Sequence, residues 1–405
     1  MSNHVMKEDE NKIKVSLIIP SYNKYPVNLM TLYSLENQTF DSSKMEVILI
    51  DDASTDDTPT IPENNNFSFH FKYIRKEENQ GRAKARNAGI LAAQGELIIF
   101  LDAEMLADSK LVENHWLHHQ EEENLIITGA MYYKAVYSFI FPEFNRKQMR
   151  DIQNLTKRMK RFSKRLNIYK SHKEDDAPFK LITRKDIQQQ AYKNLVIKKS
   201  FFADEIVKHF GNGLEGFQFP WMAFLTGNVS LRKDLLDKAG LFDEQFVGYG
   251  YEDWELGYRL YKSGGIFRAS DNITSYHQEH PISFNKWHEA TNNYFLFTQL
   301  HPEIDVLILG LEMAKIIDLL TMHETLKEYK LLEQAYPNQF SSFKDDFHSL
   351  LQTVALLLKL DLKHKGILNA TGIEISKKTQ REINEMEQLG NYNNLVTVFE
   401  KLVTP

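Results

Sequence analysis

The chain has no cysteine in its 405 residues. That excludes disulfides, thiolate nucleophiles and cysteine-ligated zinc. It also has no G-x-G-x-x-G after the first apolar run and no G-x-x-x-x-G-K-[ST] anywhere, so the glycine-rich cradles for phosphate are missing. The most apolar helical stretch, "DVLILGLEMAKIIDLLTM", is interrupted by Glu312, Lys315 and Asp318, charges that do not belong in hydrocarbon. The opening "MSNHVMKEDENKIK" lacks the apolar core of a signal peptide. A soluble cytoplasmic protein is expected, with peripheral contact at the inner face of a membrane left open. An excess of positive charge is lacking too: 49 basic against 55 acidic residues give a net charge of −6. That excludes the globally basic footprint of a nucleic-acid packager, and no nucleic-acid partner is expected. What remains is ordinary globular composition, 42% hydrophobic and 26% charged, in a chain long enough for two or three structural units.

The first third alternates. "KVSLIIP" and "MEVILIDD" are continuous apolar runs, as expected of parallel strands buried on both faces, and "HFKYIRKEE" reads as a weaker third. "VNLMTLYSLENQ" and the alanine-rich "GRAKARNAGILAAQ" carry helical spacing, and "GELIIFLDAE" is the next strand. Strand and helix in alternation predict a doubly wound, mostly parallel α/β sheet with helices on both faces. Ligands of such sheets bind beyond the carboxyl ends of the strands, where "PSYNK", "DDASTDD" and "DAE" all fall.

Residues 131–220 read as a basic, mainly helical insertion, centred on "NRKQMRDIQNLTKRMKRFSKRLNIYKSHK". Three roles compete for it: docking an anionic acceptor, touching an anionic membrane, or coating a solvated helical face. Beyond His301-Pro302 the sequence predicts only helices, expected to pack or to make homo-oligomer contacts. The expected division is therefore a tail at 1–12, an α/β domain over 13–302 and a helical region over 303–405.

"IIFLDAEMLAD" poses the chemical question. If strand geometry reaches Glu104, then Asp102 and Glu104 point the same way, and two like charges aimed at one spot call for a cation. Oxygen ligands suit Mg²⁺ or Mn²⁺, and an added imidazole favours Mn²⁺. The ion acts as a Lewis acid on a departing diphosphate, with Arg82, Lys84 or Arg86 assisting near a helix start. The plainer reading is a solvated turn. "HWLHH" offers an i,i+4 histidine pair without an evident carboxylate partner, and "DDASTDDT" lacks the glycine and closing glutamate of an EF-hand. Trp221, Trp254 and Trp287 fit either an acceptor platform or the core.

"VSLIIPSYNK", "EVILIDDASTDDT", "NQGRAKARNAGI" and "GELIIFLDAE", in this order, resemble family-two glycosyltransferases of the GT-A fold. "TGNVSLRKDLLDKAGLFDEQFVGYGYEDWELGYRL" is similar to the segment shared by chondroitin-type polymerases and galactosyl- and N-acetylgalactosaminyltransferases. The resemblance implies that Pro20, Tyr22 and Asp52 hold the uridine of a UDP-sugar donor, and that Asn228 lies near the donor. It also implies that Asp102, Glu104 and His277 hold the metal, and that Asp253 is the general base with Glu252 contacting a sugar. Retaining relatives carry Glu-Asn where this chain has Glu252-Asp253, which favours inversion. Glu104 replaces the usual second aspartate, and Tyr249 and Tyr251 stand where many relatives have Trp and Gly. The acceptor expected is a glycan, a lipid-linked glycan or a peptide. Rival readings are a non-catalytic sugar-nucleotide scaffold and, last, a nucleotidyltransferase, which needs a glycine-rich loop after the first strand.

Overall fold

Mainly apolar runs with no alternating polar face form stable strands only between covering layers. In the computed structural model, β1 (Val15–Ser21), β2 (Met45–Asp51) and β4 (Leu97–Leu101) do this at the centre of a seven-stranded sheet. β3 (His70–Arg75), half-exposed as its weaker pattern predicts, closes one edge. β6 (Leu125–Thr128), β11 (Asn228–Arg232) and β12 (Ile266–Ala269) extend the other, giving the order β12-β6-β11-β4-β1-β2-β3. Only β11 runs antiparallel to its neighbours. This is the expected mostly parallel α/β architecture. Between β1 and its two partners, β2 and β4, the chain order reverses, which is where such sheets open a crevice at their carboxyl ends.

The described residues are 12–171, 177–198, 202–281, 285–362 and 374–404. The expected tail, 1–12, lies outside them except for Lys12. They divide into two compact units. The first comprises residues up to 215, 221–245 and 253–283; the second comprises 216–220, 246–252 and 284 onward. The helical unit thus takes in helix Lys286–Leu300, ahead of the expected start at 303. Its core includes Phe343, Phe347 and Phe399, whose rings lie 4.9–6.3 Å apart.

Two features of the first unit position the site. Gly89 lets helix Arg82–Ala92 lie directly on the sheet, since an added Cβ would come within 2.5 Å of Ile18 Cγ2. The basic insertion also does more than form helices. Alongside helices Arg146–Thr156 and Lys160–Ser171 it contributes β7 (Lys134–Val136), β8 (Phe139–Ile140), β9 (Phe179–Lys180) and β10 (Val196–Lys198). β7 and β10 join β5 (Met105–Ala107) and β13 (Ser275–Gln278) in a second sheet, ordered β10-β7-β13-β5. Strands of two or three residues carry no readable periodicity, and the sequence does not announce them. No helix among the described residues is long and apolar enough to cross a membrane.

Candidate functional site

β4 stops at Leu101, so Asp102 and Glu104 do not share a strand face. The chain turns instead: Met105 N donates to Asp102 O at 3.0 Å. Thr31 Oγ1 donates to Ala103 O at 2.7 Å and Gln278 N to Glu104 O at 2.8 Å, which fixes the turn from both sides. The two carboxylates consequently have different partners. Asp102 accepts from Arg86 at 3.2 Å, and that guanidinium is buried against the Phe242 ring, 5.5 Å from its centroid. Glu104 accepts from Lys24 Nζ at 3.1 Å and lies 3.4 Å from His280 Nε2.

The antiparallel pairing of β13 with β5 sets His277 opposite Met105, one residue from Glu104. Past Gln278 the chain leaves the strand and brings His280 round, its ring 5.3 Å from that of His277. Ligand atoms of Glu104, His277 and His280 all lie within 4.8 Å of one another. Asp102, expected among the ligands, is outside this cluster because the turn gives it to Arg86. His280 enters in its place. Burial pushes the Glu104 carboxyl up, but Lys24, His280 and His277 outweigh it and hold it well below the usual range. A carboxylate kept ionised beside two imidazoles is the donor chemistry of a divalent-cation site. His277 Nδ1 is buried without a hydrogen bond among the described residues, its acidic neighbour being Glu279 Oε1 at 3.7 Å.

The remaining acids after β2 organise backbone. Asp52 accepts from Gln80 N at 3.1 Å and Gly81 N at 2.8 Å, anchoring the approach to helix Arg82–Ala92. Asp51 accepts from Ser54 N, and Asp56 from Tyr25 N and Thr58 N. "DDASTDDT" is therefore a loop tied by its own side chains. Pro20 is half-buried on β1, Tyr22 just beyond it is 44% exposed, and Arg82 opens its helix. Asp253 lies in the first turn of helix Glu252–Lys262, its Oδ1 accepting from Trp254 N at 2.9 Å, and Glu252 is buried. Trp221 is core, Trp254 donates through Nε1 to Met222 O, and Trp287 is exposed.

Asn228 is fully buried, and its amide is spent inside the protein. Its Oδ1 meets His115 Nε2 at 2.9 Å, while its Nδ2 donates to Ile273 O and Ser275 Oγ at 3.1 and 3.0 Å. His115 Nδ1 and His119 Nε2 converge on Ser230 Oγ at 2.7 and 2.8 Å. This pair from "HWLHH" is thus engaged by β11, with no carboxylate partner among the described residues. Asn228→Ala leaves several buried groups unpaired and should cost about 2–3 kcal/mol of stability. Chemical denaturation checks this.

In the second unit, Gly248 and Gly250 take φ values of +83° and +97°, conformations that favour glycine. Asn293 Nδ2 holds this segment through Val247 O, Tyr249 O and Gly250 O at 3.1, 3.4 and 2.9 Å. The segment runs directly into Glu252-Asp253. Asn293→Leu removes all three bonds and should cost about 1–3 kcal/mol of stability. Urea denaturation measures the loss.

Residues 16–189 match the family model described as "Glycosyl transferase family 2", and residues 208–281 match "N-terminal domain of galactosyltransferase". The chain is 35% identical over 277 residues to the glycosyltransferase YfnE of Bacillus subtilis, an overlap of 66% of either chain. It is 26% identical to the chondroitin synthase of Pasteurella multocida over 69% of this chain and 26% of that one. It thus spans between about a quarter and two thirds of these relatives' lengths. Among solved structures, S. aureus TarS 1-349 in complex with UDP-GlcNAc is 14% identical, covering 96% of this chain and 91% of that chain with a TM-score of 0.47. The sheet order, the ordered loop motifs and the two consecutive family matches agree, and the chain belongs to glycosyltransferase family 2, with the GT-A fold.

Proposed function

We propose that the protein transfers a sugar from a UDP-sugar to a hydroxyl acceptor with inversion, in assembly of a cell-surface polysaccharide or glycoconjugate. The observation that carries this reading is the convergence of Glu104, His277 and His280 within 4.8 Å in a family 2 chain. The match to a chondroitin synthase supports a glycan acceptor; lipid-linked and peptide acceptors belong to the same reading.

Glu104, His277 and His280 would hold a divalent cation, and one oxygen with two imidazoles favours Mn²⁺ over Mg²⁺. Bound there, the cation supplies Lewis-acid stabilisation of a departing diphosphate. The chain's own residues do the rest. Asp253 takes the proton from the acceptor hydroxyl as that oxygen attacks the anomeric carbon, and UDP departs from the opposite face. We assign Pro20, Tyr22 and Asp52 to the uridine, Arg82 to the diphosphate, Asp102 to the donor, and Glu252 to a sugar hydroxyl. Asn228 acts through its buried network.

Incubation with a panel of UDP-sugars and Mn²⁺ tests the proposal. Slow release of UDP without acceptor is expected for the cognate donor. Absence of UDP binding, with or without metal, would overturn it. Binding without release or transfer would instead identify a sugar-nucleotide scaffold.

A further inference from the structure

Lys24 reaches two of the three side chains assigned to a divalent cation. Its Nζ lies 3.1 Å from Glu104 Oε1 and 3.2 Å from His280 Nε2. The partner of the other imidazole nitrogen fixes the ring's orientation. His280 Nδ1 is 2.7 Å from Pro281 O, and a carbonyl only accepts, so Nδ1 donates there and the ring is held with Nε2 facing Lys24 and Glu104. The ammonium thus lies within hydrogen-bond reach of a carboxylate oxygen and an imidazole nitrogen, two of the three ligand atoms assigned to the metal. Lys24 comes from the loop after β1, 80 residues before Glu104, so the contact is made by the fold and not by local sequence.

We propose that Lys24 is a built-in competitor for the divalent cation. Its ammonium keeps Glu104 and His280 in ligand geometry, and it must leave before a metal can bind. An ammonium and a divalent ion cannot share two donors at these distances, because their mutual repulsion in a partly buried site is large. The consequence is a site held together without metal and weak for metal alone. The inference rests on the metal assignment proposed above.

Two measurements that do not use catalysis test it. Free Mn²⁺ is counted by electron paramagnetic resonance in titrations of the wild type, Lys24→Met, Lys24→Gln and Glu104→Gln, without nucleotide. Removing the competitor should tighten Mn²⁺ binding about tenfold in both Lys24 variants, or about 1.4 kcal/mol. Unchanged or weaker binding in both, with wild-type circular dichroism, overturns the proposal. Glu104→Gln separates the two levels. If it weakens binding while the Lys24 variants do not tighten it, the metal site stands and the competitor role is wrong. If no variant and no wild type binds Mn²⁺, both readings fail.

The second measurement needs no substitution. Acetic anhydride labelling read by mass spectrometry should modify Lys24 several-fold faster in saturating Mn²⁺ than in its absence. Lys327, a surface residue paired with Glu324, serves as the reference. Lys24 labelling that is unchanged by Mn²⁺ overturns the displacement.

Discussion

Asp253→Asn should lower sugar transfer about 10³-fold, the range expected when a positioned general base is lost. Asparagine keeps the volume of the side chain and a carbonyl oxygen able to accept the 2.9 Å bond from Trp254 N, so local geometry survives. What is lost is the ability to take a proton. The bland alternative for this residue is a helix-start acid, favoured by the dipole of helix Glu252–Lys262. That role is worth about 0.3–1 kcal/mol and would leave turnover near the wild-type rate. The two roles therefore separate in one variant. We expect the thermal midpoint to move by a few degrees at most and UDP affinity to stay within about twofold, while acceptor-dependent UDP release collapses. Transfer at wild-type rate would remove Asp253 from the chemistry. A fall in UDP affinity matching the fall in rate would make it a donor contact.

The sequence makes the sheet legible because its signal is local. Val15–Ser21, Met45–Asp51 and Leu97–Leu101 are mainly apolar with no alternating polar face, and only a strand covered on both sides accommodates that. The second sheet is not local: His277 finds Met105 across 172 residues, through strands too short to show a period. The site follows the same division. Glu104 and His277 are recognisable by residue type and motif position. His280 is hidden by strand periodicity, since three residues along an extended chain would place it on the opposite face from His277. It joins the cluster only because β13 ends at Gln278. "His-x-x-His" just past a strand end was the available signal. Asp102 shows the converse: "DAEM" contains no glycine or proline to announce a turn, so strand geometry was the natural extrapolation. Lys24 had no sequence signal, and the signals for Arg86 and Asn228 pointed to a ligand where the structure shows protein partners, because each role is defined by a group brought near by the fold.

Stability should fall as pH drops from about 6.5 to 5, and the imidazoles behind β11 are the cause. Burial lowers His115 to about 4, opposed by its bond to Asn228. Burial, then the nearby charges of His115 and Arg232, lowers His119 to about 3. Unfolded, both titrate near 6.5. Below that pH the unfolded chain binds protons that the folded protein refuses, so each imidazole contributes stability that is complete above 6.5 and is lost toward its folded pKa. The slope per imidazole grows from about 0.7 kcal/mol per pH unit at 6.5 to about 1.3 near 5, or about 3 kcal/mol for the pair across the window. His323, also lowered by burial, adds in the same direction but belongs to the other unit. Depressed carboxyls such as Asp108 and Asp186 come into play mainly below pH 5, so this window isolates histidine. Urea midpoints at pH 8, 6.5 and 5 measure the loss. His119→Gln should flatten the slope by about half even if it lowers stability at pH 8, because a glutamine amide does not titrate in this range. A wild-type slope near zero from 6.5 to 5 would mean that these rings open to solvent and protonate in the folded chain.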